Sequence, residues 1–105
     1  MRIVTIDALP ALVGEHVQVN GWLTGIRSSG KIAFLQLRDG SGFVQGVLAR
    51  GDVDDATFEL ARTLPQEAAV IVEGEVRADA RAKQGVELGL SAVRLVGSSG
   101  DYPIT

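Results

Sequence analysis

The stretch Gly21-Trp22-Leu23-Thr24-Gly25-Ile26-Arg27-Ser28-Ser29-Gly30-Lys31-Ile32-Ala33-Phe34-Leu35-Gln36-Leu37-Arg38-Asp39-Gly40-Ser41-Gly42-Phe43-Val44-Gln45 contains two chain reversals and the strand between them. Arg27 to Lys31 is a polar turn. Asp39-Gly40-Ser41-Gly42 is a second, tight one, because Asp-Gly readily takes the positive φ values of short hairpin loops. From Ile32 to Arg38 the residues alternate, with Ala33, Leu35 and Leu37 on one side and Ile32, Phe34, Gln36 and Arg38 on the other. That period of two predicts a strand with one face in a core. Upstream, His16 to Ile26 alternates in the same way, with Val17, Val19 and Leu23 opposite Gln18, Asn20 and Thr24. Gly21 and Gly25 interrupt it, and glycine inside a strand permits the bulge or sharp coil that a barrel corner needs. Phe43 to Leu48 is the third strand, with Val44, Gly46 and Leu48 inward and Gln45 outward.

Working outward, Asp52-Val53-Asp54-Asp55 precedes Ala56 to Arg62, where Phe58 and Ala61 fall at helical spacing and the acids sit where a helix N-terminus favours them. A short helix is predicted there. Ala68 to Val76 and Val86 to Leu95 read as a fourth and a fifth strand, and Ile6 to Leu9 as one helical turn before Pro10. Three strands, a helix and two strands is the order of an all-β, five-stranded OB-fold barrel with a short helix between strands 3 and 4. A small β-sandwich is the alternative, but it does not ordinarily place a helix at that point.

The chain has 105 residues, 46% of them hydrophobic, with 10 Lys+Arg against 13 Asp+Glu for a net charge of −3. This suits one small domain and argues against a disordered chain or a two-domain enzyme. There is no cysteine, so disulfides, thiolate nucleophiles and cysteine zinc sites are excluded. No signal peptide or membrane span is visible, and a cytoplasmic setting is expected. The acidic total conceals a split. Arg27 to Arg38 holds three cations, Arg27, Lys31 and Arg38, and no acid, whereas Asp52 to Glu59 holds four acids.

Catalytic chemistry finds little support. His16 is the single histidine, and Ser28, Ser29 and Ser41 have no histidine near in sequence. Asp52, Asp54 and Asp55 are accounted for by helix capping rather than by a cation. No catalytic residue, metal site or cofactor is expected in this domain. The outward face of strands two and three is the candidate site. Phe34 there offers either a stacking platform for a nucleobase or a plug for one end of the barrel. Gln45 either reads a base edge, since an amide both donates and accepts, or pairs across strands. Arg27 and Lys31 flank the turn and are within reach of phosphates. Glu87 is read as an isolated outward acid, Arg77 as the polar end of strand four and Trp22 as a packing residue. Phe58 and Leu60 on the helix form the contact surface of an alternative protein-interaction reading.

The Gly-Trp bend, the Arg…Gly-Lys turn, Phe34, Leu37-Arg38-Asp39, Gly42 and Gln45 together resemble the N-terminal anticodon-binding domain of asparaginyl- and aspartyl-tRNA synthetases. The terminal Asp101-Tyr102-Pro103-Ile104-Thr105 is similar to the start of the hinge in the asparagine enzyme. The resemblance implies an OB domain over residues 1–97 and, at 98–105, the start of a hinge to a catalytic domain absent from this chain. It implies that the central anticodon uridine stacks on Phe34 and meets Gln45, with Arg27, Lys31, Arg77 and Glu87 contributing, and Glu87 placed at the first base. The tRNA anticodon loop, the parent's catalytic domain and a parent homodimer are the implied partners, with no membrane. ATP and Mg would serve the parent ligase only. This chain alone is expected not to aminoacylate; an aspartyl enzyme or a general single-strand binder is the alternative.

Overall fold

The computed structural model describes residues 2–64, 67–82 and 85–97. The hinge segment expected at 98–105 lies outside the described residues. Among the described residues there are six strands: β1 Arg2–Ile3, β2 His16–Ser29, β3 Ile32–Asp39, β4 Gly42–Ala49, β5 Ala69–Ala78 and β6 Val86–Gly97. A 3-10 segment, Ile6–Ala11, follows β1, and the helix α1, Asp55–Arg62, falls between β4 and β5. The five long strands close in the order β2-β3-β4-β6-β5, with β5 returning to β2. They form a closed all-β barrel. All pairs along this circuit are antiparallel except β4 with β6, where Gly46 meets Leu88 and Val47 meets Gly89 in parallel register. β1 was not anticipated; it pairs in parallel with Val17 and Gln18 of β2. The predicted helical turn at Ile6 is a 3-10 segment that runs through Pro10.

β2 makes the barrel close by serving two neighbours. His16 to Trp22 pair with β5 and Trp22 to Ser29 with β3, so the strand changes partner at Trp22. Both interrupting glycines lie at this corner. A side chain on Gly21 would strike the carbonyl oxygen of Arg38, and the register of β2 against β3 shifts between Leu23 and Gly25. The bend expected from sequence is therefore a bulge at Thr24, next to a close backbone approach.

The core follows the alternation. Val17, Val19 and Leu23 of β2, Ala33, Leu35 and Leu37 of β3, and Val44 and Leu48 of β4 are buried, together with the even-numbered Val70, Val72 and Val76 of β5. β6 departs from a simple period of two: Val86, Leu88 and Leu90 point inward, but then Val93 does, because the register slips between Glu73 and Gly74 and leaves Ser91 unpaired. No polar side chain is buried among the described residues. Phe58 of α1 is fully buried, so it belongs to the core rather than to the interaction surface considered above; Leu60 alone is exposed.

One carboxylate ties the N-terminal segment to the β3–β4 turn. Asp39 Oδ1 accepts from Ser41 N at 2.8 Å, Ser41 Oγ at 2.6 Å and Gly42 N at 3.1 Å, while Oδ2 accepts from Ile6 N at 2.9 Å. Burial pushes the Asp39 carboxyl up, but these donors outweigh it and hold its pKa below the usual value.

Candidate nucleic-acid interface

Cross-strand registers fix three successive rows on the outer face of β2, β3 and β4. They are Arg27–Phe34–Val47, Gly25–Gln36–Gln45 and Trp22–Arg38–Phe43. Arg27 and Phe34 of the first row, Gln36 and Gln45 of the second and Phe43 of the third line a cleft of about 470 Å3, with Arg81 contributed by the β5–β6 connection. Phe34 and Gln45 point outward, as the alternation predicted, and both are half-buried. Phe34 lines the cleft rather than plugging the barrel, since the core positions on either side of it are Ala33 and Leu35.

The Arg27 guanidinium carbon stands 5.0 Å from the centroid of the Phe34 ring, a cation–π contact on an open face. Gln36 Nε2 donates to Gln45 Oε1 at 2.9 Å. Gln45 thus pairs across strands, and the same bond uses neither its own –NH2 nor the side-chain carbonyl of Gln36, on two residues that both line the cleft. One donor and one acceptor side by side match the edge of a pyrimidine.

Glu87 is not isolated. The parallel register of Gly46 with Leu88 puts Gln45 and Glu87, one residue earlier on each strand, on the same outward face. Arg77 Nη2 reaches Glu87 Oε2 at 2.9 Å, and the Glu87 side chain is only 19% exposed. Gly89 leaves room for Arg77 there, because a Cβ at that position would lie 2.7 Å from the Arg77 guanidinium carbon. These two residues flank the cleft without lining it. Lys31 stands at the tip of the β2–β3 hairpin, also outside the cleft, and its carbonyl accepts from Arg50 N at 2.8 Å.

The electrostatics follow the split in the sequence. Arg50 and Arg62 are engaged by the helix acids, Arg50 with Asp55 at 3.5 Å and Glu59 at 3.1 Å, and Arg62 with Glu59 at 2.7 Å. Asp54 is the N-cap, accepting from Thr57 N at 2.8 Å, so the acidic run is occupied with helix formation. Arg27, Lys31 and Arg38 have no carboxylate within ion-pair distance among the described residues, so these three cations are left to meet a ligand's phosphates. At the far wall, the backbone N–H of Arg81 holds the Asp79 carboxyl below its usual pKa. No group of three or more His, Cys, Asp or Glu side chains among the described residues is placed to hold a metal, and no helix among them is long and apolar enough to cross a membrane.

Gln36, Phe43 and the Asp79–Arg81 wall were not singled out from sequence. Strand alternation already placed Gln36 and Phe43 outward, so their signal was present. Arg81 lies in a connection with no periodicity, and nothing local announced its approach to the cleft.

A cleft on the outer face of a small closed barrel, lined by two phenylalanines, two amides and an arginine without a carboxylate partner, is the chemistry of an OB-fold nucleic-acid-binding domain. Residues 17–96 match the tRNA anti-codon family, an OB-fold nucleic acid binding domain. Among solved structures, asparaginyl-tRNA synthetase from Pyrococcus horikoshii is similar at 38% identity and a TM-score of 0.85, over 97% of this chain and 24% of that one. A putative aspartyl-tRNA synthetase from Leishmania major Friedlin aligns at 28% identity and a TM-score of 0.83, over 92% of this chain and 21% of that one. An OBody bound to hen egg-white lysozyme aligns at 27% identity and a TM-score of 0.75, over 89% of this chain and 90% of that one. The chain therefore belongs to the tRNA anticodon family of OB-fold nucleic-acid-binding domains, in the group of the asparaginyl- and aspartyl-tRNA synthetases. It spans about a quarter of the length of the synthetases it matches.

Proposed function

We propose that this chain is the anticodon-recognition module of an asparaginyl-tRNA synthetase and that it holds the central uridine of a splayed anticodon on Phe34. The observation that carries the reading is the cleft itself: an outward aromatic ring beside an amide pair with one free donor and one free acceptor. At 5.0 Å, Arg27 and Phe34 leave no room for a base between them, so the base takes the place of Arg27 on the ring and the guanidinium moves toward the phosphates. Gln45 reads the edge of that base, Glu87 receives the first anticodon base with Arg77 holding its carboxylate, and Lys31 meets the backbone. The domain supplies binding and identity discrimination; the chemistry belongs to a parent ligase using ATP and Mg, and no cofactor is needed here. Support for asparagine over aspartate comes from the higher identity to the Pyrococcus enzyme.

Binding of anticodon stem-loops by fluorescence anisotropy tests the reading. Phe34→Ala is expected to weaken binding by the stacking of one base, about 1–3 kcal/mol, with the fold intact by circular dichroism. Equal affinity for loops with and without the central uridine overturns sequence-selective reading and leaves a general single-strand binder. Loops ending the anticodon in U or in C separate the asparagine from the aspartate assignment.

A further inference from the structure

We infer that the row Trp22–Arg38–Phe43 is a second stacking subsite, which takes a nucleotide flanking the one on Phe34 in the same RNA strand. This rests on the proposed function and extends it.

Arg38 is cross-strand neighbour to both aromatics, Trp22 on β2 and Phe43 on β4. Trp22 is 37% and Phe43 48% exposed, whereas Phe34 is half-buried. The three residues line a separate cleft of about 360 Å3 floored by the Asp39–Gly42 turn. Phe43 lines this cleft and the first one, so the two adjoin at that ring.

The chemistry favours a nucleotide. Arg38 has no carboxylate partner among the described residues, and a cation whose cross-strand neighbours are two exposed rings suits a phosphate with a stacked base beside it. The acid of this cleft, Asp39, is occupied by four donors and directs both oxygens to them. One outward row lies between Phe34 and Arg38, four residues apart on β3, which at strand spacing is roughly 13 Å. One base cannot cover both, so the subsite belongs to another nucleotide of the strand.

Trp22 is the chain's single tryptophan, and its emission reports on this row alone. The probe is an anticodon stem-loop with a central uridine, titrated into the chain and into its Phe43→Ala, Arg38→Gln and Phe34→Ala variants. The expected result is saturable quenching of Trp22 in step with binding. Phe43→Ala is expected to lower affinity about tenfold with the preference for a central uridine retained, and Arg38→Gln to lower the salt slope by about one. Unchanged affinity in both Phe43→Ala and Arg38→Gln with flat Trp22 emission at saturation, while Phe34→Ala still weakens binding, removes the subsite and leaves the proposed function standing. Loss of the central-base preference in Phe43→Ala also overturns it, because Phe43 would then serve the Phe34 base. Failure of the unaltered chain to bind the stem-loop overturns both.

Discussion

Two glycines with no side chain of their own decide where charged groups lie on this face. Gly21 lets β2 pass against the Arg38 carbonyl, and Gly89 lets Arg77 lie flat toward Glu87. Their replacements should separate cleanly in thermal denaturation. Gly21→Ala drives a methyl into backbone and is expected to destabilise by about 1–3 kcal/mol. Gly89→Ala meets only the end of a flexible, 44% exposed arginine. It should change stability by no more than about 0.5 kcal/mol while releasing Glu87 from its partner. Discrimination at the first anticodon base should then weaken with the central-base preference kept. Arg27→Ala should cost less affinity than Phe34→Ala and reduce the salt slope by about one, since its role is at the phosphate once a base is on the ring. At this scale much was legible. Phe34, Gln36 and Gln45 were placed outward because alternation along a strand is a local property. That Glu87 has a partner was not, because Arg77 is its neighbour only through the register of β5 on β6.

Among the elements, α1 shows how a weak local signal is completed by packing. It has eight residues, too short to be stable alone, and its N-cap and a single buried aromatic hold it. Arg50 stands 4.4 Å from the Phe58 ring centroid while reaching Glu59, so one arginine covers the aromatic and anchors the helix acids. Asp54→Ala is expected to cost about 1 kcal/mol by loss of the cap. Phe58→Ala should cost about 3–5 kcal/mol by leaving a core cavity. Denaturant melts of the two variants check both values, and a small effect at Phe58 would mean that the helix does not seal the barrel. The strands were read with nearly their observed bounds. β1 was missed because two residues carry no period, and the slip at Ser91 because a bulge is set by the partner strand.

For the whole molecule, the described acids with displaced pKa values all move in one direction. Asp39, Asp54, Glu59 and Asp79 are held below their ordinary values by hydrogen bonds and neighbouring arginines. A carboxyl with a folded pKa below its unfolded one stabilises fully above the unfolded value, about 4, and loses that stability as pH falls through the lower folded value. Melting temperature should therefore be flat from neutral pH to about 5 and drop below 4. Asp39→Asn should flatten part of that drop; an unchanged acid limb would deny Asp39 its role in tying the N-terminal segment to the turn. The sequence by itself determined the succession of the five long strands and the helix along the chain, most of the inward and outward sets and the division of charge, because periodicity, turn chemistry and composition act over a few residues. Only the tertiary structure decided that β4 lies beside β6, that Gln45 shares a face with Glu87, that Arg81 walls the cleft and that Trp22, Arg38 and Phe43 form one row. Those are facts of register between strands far apart in sequence, set by how the barrel closes, and no local pattern encodes them.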